Sequence, residues 1–155
     1  MLTALRFLYL LALAVWLGTI VFHSFVVAPT MFSHFPRETA GEAVSRLFPR
    51  YYQIGFACGA VCTFVPVFLH SAARSPSRWL LIAILGAVMW GLTLVAGTVV
   101  HHRAATLRAE IRGVANPSAE QNAAFARWHR AAVLLNLGVL ATGVGVTWLV
   151  ARQLD

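Results

Sequence analysis

The 155-residue chain is 59% hydrophobic and 11% charged, with a mean hydropathy of +0.74, where an ordinary soluble domain carries about 25% charged residues. That excludes a water-soluble globular protein and suits four apolar helices of roughly 20 residues, the length that crosses about 30 Å of hydrocarbon. The net charge of +7 rests on arginine alone, which in a lipid-embedded chain points to anionic headgroups and to orientation, with no nucleic-acid partner expected.

Arg6 precedes an apolar run from Phe7 to about Met31. The run is too long for the apolar core of a secretory signal, and Pro29 follows Ala28 where cleavage would otherwise be placed, so residues 5–30 are read as a first membrane span. In the next segment, MFSHFPRETAGEAVSRLFPRYY, Phe35, Ala40, Ala43, Val44, Leu47 and Phe48 recur near a 3.6 period against Arg37, Glu38, Glu42 and Arg46. This predicts a short helix in the headgroup plane, bracketed by Pro36 and Pro49.

Spans over about 51–70 and 79–100 follow, and the link SAARSPSR between them is too short for more than a turn, so they are expected to be antiparallel neighbours. Helix formers continue through HHRAATLRAEIR to Gly113, which predicts a third helix that projects beyond the bilayer. Asn116-Pro117-Ser118 ends it, and Ser118 with Gln121 forms a capping box for a fourth helix running to about Arg152, its membrane part near 124–150. The expected fold is all-α: one domain, 1–155, an integral membrane four-helix bundle with a short interfacial helix between spans one and two.

Alternating spans place both long connectors on one face, with Arg37, Arg46, Arg50, Arg103, Arg108, Arg112 and Arg127, against Arg6, Arg74, Arg78 and Arg152 on the other. The excess favours long loops in the cytoplasm and both termini outside, in a bacterial inner membrane.

The chemistry-bearing groups are histidines. His23 lies about 12 Å inward from the long-loop end of span one at 1.5 Å per residue; His101 and His102 close span three, and His129 opens span four on that same side. Imidazole ligates copper, zinc or haem iron and passes protons, so histidines from separate helices are expected to converge on one guest. Asn136 lies one heptad beyond His129 on the same stripe, where it orients a ligand or bonds a neighbouring helix. His34 and His70 read as surface groups. Cys58 and Cys62, one turn apart, read first as packing residues and second as soft-ion ligands. Gly55, Gly59, Gly86, Gly91, Gly97, Gly138, Gly143 and Gly145 read as helix-contact positions; Trp79, Trp128 and Trp148 read as boundary anchors. No phosphate loop, dinucleotide fingerprint, zincin motif or nucleophile elbow is present.

The stretches WLGTIVFHSFVVAPTMFSHFPRETAGEAVSRLFPRYY and FARWHRAAVLLNLGVL resemble the transmembrane protein 205-like family, filed in bacteria as a domain of unknown function. VVAPTMF, LFPRYY and the His129–Asn136 stripe are its most specific pieces. That family is distantly similar to copper-resistance proteins of the CopD type and to haem-binding HemJ-type proteins, although Tyr9 stands where the latter would have a histidine. The resemblance implies the fold first, because fold alone does not carry function. The expected function is binding of copper or b-type haem by His23, His101 or His102, and His129, for metal handling or electron transfer. Asn136 would support the ligand, and Arg103 and Arg130 would pair with haem propionates. A small-solute or proton-coupled transporter and a non-catalytic membrane interaction module are the alternatives. Lipids, a second copy of the chain or a redox protein are the expected partners.

Overall fold

Backbone amides cannot be left unpaired in hydrocarbon, so an apolar chain crosses it as helices that bond to themselves. The computed structural model describes residues 1–72, 78–112, 114, 116 and 118–154, with nothing said of side chains 153 and 154. Arg74, Gly113 and Pro117, which entered the reading of the two links, lie outside the described residues. Among the described residues the chain forms four helices: α1 (Leu2–His34), α2 (Arg37–Ser71), α3 (Trp79–Arg112) and α4 (Ala119–Leu154). All four are long and apolar enough to span a membrane. The protein is an integral membrane protein.

Consecutive helices pack side by side and α4 returns against α1, so the bundle closes as an up-down ring. Its centre is filled by Tyr9, Trp16 and Ile20 from α1, Tyr52 and Cys62 from α2, Ile82 and Met89 from α3, and Val139, Val146 and Val150 from α4. Phe7, Phe22, Phe25, Phe64, Leu134 and Val144 face outward. Such a surface is stable only in lipid.

The predicted cap of α4 is formed in both directions. The Gln121 N–H donates to Ser118 Oγ at 3.1 Å and the Ser118 N–H donates to Gln121 Oε1 at 2.9 Å.

Other expectations are corrected. The segment expected as a separate interfacial helix is the first third of α2, which continues unbroken through Pro49 and Pro66. A proline inside a helix forfeits one backbone bond and crowds the preceding turn, but in a membrane helix the neighbouring segments hold the chain helical regardless. Trp79 does not anchor at a boundary: it is 2% exposed and packs edge-on against Tyr9, ring centroids 6.0 Å apart. Trp148 does face outward, with the Arg152 guanidinium 5.5 Å from its ring centre. Gly91 and Gly145 have nothing within 4 Å of where a β-carbon would stand, so they are not contact glycines.

Gly86 is one. A β-carbon there would strike the Cys62 backbone carbonyl, which cannot swing aside, so α2 and α3 approach closely at this level. Gly86→Leu is expected to cost about 1–3 kcal/mol through overpacking, read as a lower midpoint of thermal unfolding in detergent. Gly145→Ala, with open space around it, should stay within about 0.5 kcal/mol of the parent.

Candidate functional site

Two helices leave α geometry beside the histidines. In α1, Phe22–Val27 form a π-helical stretch, closed by the Ala28 N–H donating to the His23 carbonyl. In α3, Ala96–Val100 do the same, closed by the His101 N–H donating to the Ala96 carbonyl. The first has an evident cause. Pro29 offers no N–H to the Phe25 carbonyl and its ring crowds that oxygen, and widening the turn ahead of it relieves the clash. In the second, Gly97 admits the rings of Tyr52 and Phe56, which lie 2.8 Å from the place a β-carbon would occupy. Such π insertions recur at functional positions because they turn the following side chains out of helical register.

Between these stretches α2 presents a platform of aromatic rings. The Phe48 ring centre is 5.1 Å from that of His23 and 5.1 Å from that of His101. Tyr51 lies 5.0 Å from His23, and Tyr52 lies 5.5 Å from His101. Each imidazole therefore rests on two aromatic rings and is half-buried. The two imidazoles, from helices far apart in sequence, are separated by no more than twice the distance each keeps from Phe48. Among the described residues neither has a hydrogen-bond partner. Ring contacts thus hold both imidazoles while the in-plane nitrogens keep their bonding capacity.

Behind this pair, the Tyr51 hydroxyl donates to Asn136 Oδ1 at 2.9 Å, tying α2 to α4. Asn136 is half-buried. It meets the pair through Tyr51.

The other candidates turn away. His102 and His129 are exposed, and His129 stacks on Phe125 of its own helix with centroids 6.0 Å apart. Adjacent helical residues diverge by about 100°, which separates His102 from His101; His129, seven residues before Asn136, stands about 10 Å further along the axis at 1.5 Å per residue. Among the described residues no three His, Cys, Asp or Glu side chains gather to hold a metal ion. The expected meeting of His23, His101 or His102, and His129 is therefore a pair, His23 and His101, in this geometry. Arg103 and Arg130 are exposed, and Arg130 Nε donates to the Ala126 carbonyl at 3.3 Å. His34 satisfies itself locally, its Nδ1 lying 2.9 Å from Ser33 Oγ and 3.0 Å from the Thr30 carbonyl. Cys62 is 1% exposed within the core and Cys58 is half-buried. Both thiols pack against apolar neighbours.

Phe48, Tyr51 and Tyr52 were not expected as site residues. Their signal is the LFPRYY boundary, which places three aromatic rings within about one helical turn.

Residues 11–113 match a family described as a domain of unknown function, DUF4149. The chain belongs to this family. The matched stretch contains His23, Phe48, Tyr51, Tyr52 and His101 and ends before His129 and Asn136. An uncharacterised protein of Aquifex aeolicus (strain VF5) is 38% identical over 58 residues, which cover 37% of this chain and 44% of the relative. The matched region thus spans less than half the relative's length. No solved structure matches. A membrane-type family of unknown function is what the sequence motifs implied, while the likeness to the transmembrane protein 205-like family and to CopD-type and HemJ-type proteins rests on those motifs alone.

The Tyr51–Asn136 bond invites a direct test. In a double-mutant cycle of Tyr51→Phe and Asn136→Leu, the coupling is expected near 0.6 kcal/mol, the average for polar contacts between membrane helices. Strict additivity in chemical unfolding would show that the contact contributes nothing.

Proposed function

We propose that this protein handles a small cation within the membrane, a transition metal such as copper, captured from the long-loop side by His23 and His101. The observation that carries this reading is the pair itself: two half-buried imidazoles from different helices, both packed on Phe48, with no hydrogen-bond partner among the described residues. Metals bind imidazole through an in-plane nitrogen. The aromatic rings meet the imidazoles at tilts of 42–56° without bonding their nitrogens, and they supply an apolar shell that keeps competing water away. The distant likeness to copper-resistance proteins of the CopD type supports the same guest.

Haem fits these residues poorly. A bis-histidine haem requires the two imidazoles to face a flat slot large enough for a macrocycle. Here Phe48 packs against both rings, Tyr51 and Tyr52 cover them further, and His102 and His129 stand outside. No haem-based electron transfer is proposed.

A second reading, a pathway for protons or a small solute, is favoured by polar groups that continue inward from the pair. Tyr51 and Asn136 are followed in the interior by buried Cys62 and by Tyr9, whose hydroxyl has no hydrogen-bond partner among the described residues. In this reading His23 and His101 form the entrance. Long loops in the cytoplasm and both termini outside remain the proposed orientation, in a bacterial inner membrane, on the arginine distribution.

Copper(I) titration of the detergent-purified protein against a chromophoric chelator tests the first reading. His23→Ala and His101→Ala are each expected to weaken binding by about tenfold or more, the loss of one ligand bond, and His102→Ala and His129→Ala to leave it unchanged. Full retention of affinity in both His23→Ala and His101→Ala would sink the proposal. Copper-independent proton flux in proteoliposomes, abolished by the same two substitutions, would favour the pathway instead.

A further inference from the structure

The long-loop end of the bundle holds a second feature, independent of the histidine pair. A cleft of about 320 Å³ opens there, lined by Glu38 from α2, Arg108, Ile111 and Arg112 from α3, and Val114 beyond it. Arg108 is half-buried, yet among the described residues it makes neither a hydrogen bond nor a direct ion pair. Two features hold it in place. Its guanidinium carbon lies 5.8 Å from the ring centre of Phe125 on α4. Its terminal nitrogen occupies the position a β-carbon of residue 41 would take, so the absence of a side chain at Gly41 is what admits it.

Arg112 is only partly neutralised. Its Nη1 is 3.8 Å from Glu42 Oε2, and the other oxygen of that carboxylate is taken by Arg46. A guanidinium partly withdrawn from water costs free energy that a carboxylate in direct contact would normally offset. Here the carboxylate of Glu42 is already divided between two other arginines. The cleft therefore presents two guanidiniums, that of Arg108 held by packing and that of Arg112 exposed, with one carboxylate and two apolar side chains, in a volume that admits a phosphate group and its substituent.

We infer that this cleft binds a phosphate group, with Arg108 and Arg112 on its oxygens and Glu38 accepting a hydroxyl from the same molecule. Guanidinium is suited to this because its planar fork matches two phosphate oxygens at once. Ile111 and Val114 would lie along the apolar part of the ligand. A phospholipid headgroup with free hydroxyls, such as phosphoglycerol, meets every group in the cleft. Arg108 stands seven residues beyond His101, about 10 Å along the helix, within an arginine side chain's reach of a headgroup layer. Free phosphate carries the same recognised group without the lipid.

Native mass spectrometry of the full chain in detergent, with dioleoyl-phosphatidylglycerol as one probe, and thermal-shift titration with inorganic phosphate as the other, test the inference and separate the two sources. Arg108→Gln and Arg112→Gln are each expected to reduce retention of the lipid by about tenfold, one charge-assisted contact. Arg127→Gln, which removes an exposed charge from the same side, should leave it unchanged. Gly41→Ala supplies a variant with no change of charge: the added methyl displaces the guanidinium, and retention should fall in the same direction, with helicity checked by circular dichroism. Stabilisation by inorganic phosphate alone, lost in the same variants, would support the site with free phosphate as its ligand. Retention unaffected by Arg108→Gln and Arg112→Gln, or reduced as much by Arg127→Gln, would overturn it.

Discussion

A chain surrounded by hydrocarbon must pair each polar side chain or turn it inward, and that constraint organises this protein. Thr19, Thr63, Ser71, Thr93, Thr98 and Thr147 each donate their hydroxyl to the carbonyl four residues earlier in their own helix. Those groups are spent locally and join nothing. His23 and His101 behave differently: aromatic contacts hold their rings, but among the described residues their nitrogens are not engaged. In a setting where an unpaired polar group is costly, this difference is the reason the site falls there.

Packing explains how so sparse a site is positioned. α2 carries Phe48, Tyr51 and Tyr52 and touches the helices on both sides of it, so the segment that supplies the platform is also the one that joins α1 to α3. Close passage of α2 and α3 at Gly86 and Cys62 holds that joint from below. Further out, Arg108 reaches across to Gly41 and rests on Phe125, which itself stacks on His129. The exposed histidine is thus part of the outer wall of the bundle, in contact with the cleft's supporting ring.

Much of the architecture was legible in the residues. Runs of apolar side chains bounded by arginine and proline marked the four spans, and Ser118 with Gln121 marked the start of α4. The candidate site was legible in half. His23 could be identified as a membrane-depth ionisable group with His101 or His102 as its companion, but neither the choice between those two nor the outward direction of His129 could be read, because a heptad step aligns side chains on a stripe without saying where a neighbouring helix ends. The π-helical stretches left no signal in a 3.6 period, since one extra residue shifts the register by less than a short apolar segment resolves. Pro49 misled for a related reason: it breaks helices in water, whereas a helix held by lipid and neighbours carries through it.

The π insertions give chain length a meaning that residue identity usually has. Each stores a surplus residue in a wide turn next to an inward histidine, at Phe22–Val27 and at Ala96–Val100. Excising one amino acid from either would let the wide turn tighten to α geometry with the flanking halves of the helix close to their present faces, because the surplus residue sits in the wide turn itself. Residue count in these two short stretches is therefore absorbed locally, and a single insertion or deletion there would redirect the side chains inside the wide turn, His23 among them, while leaving the rest of each helix on its present face.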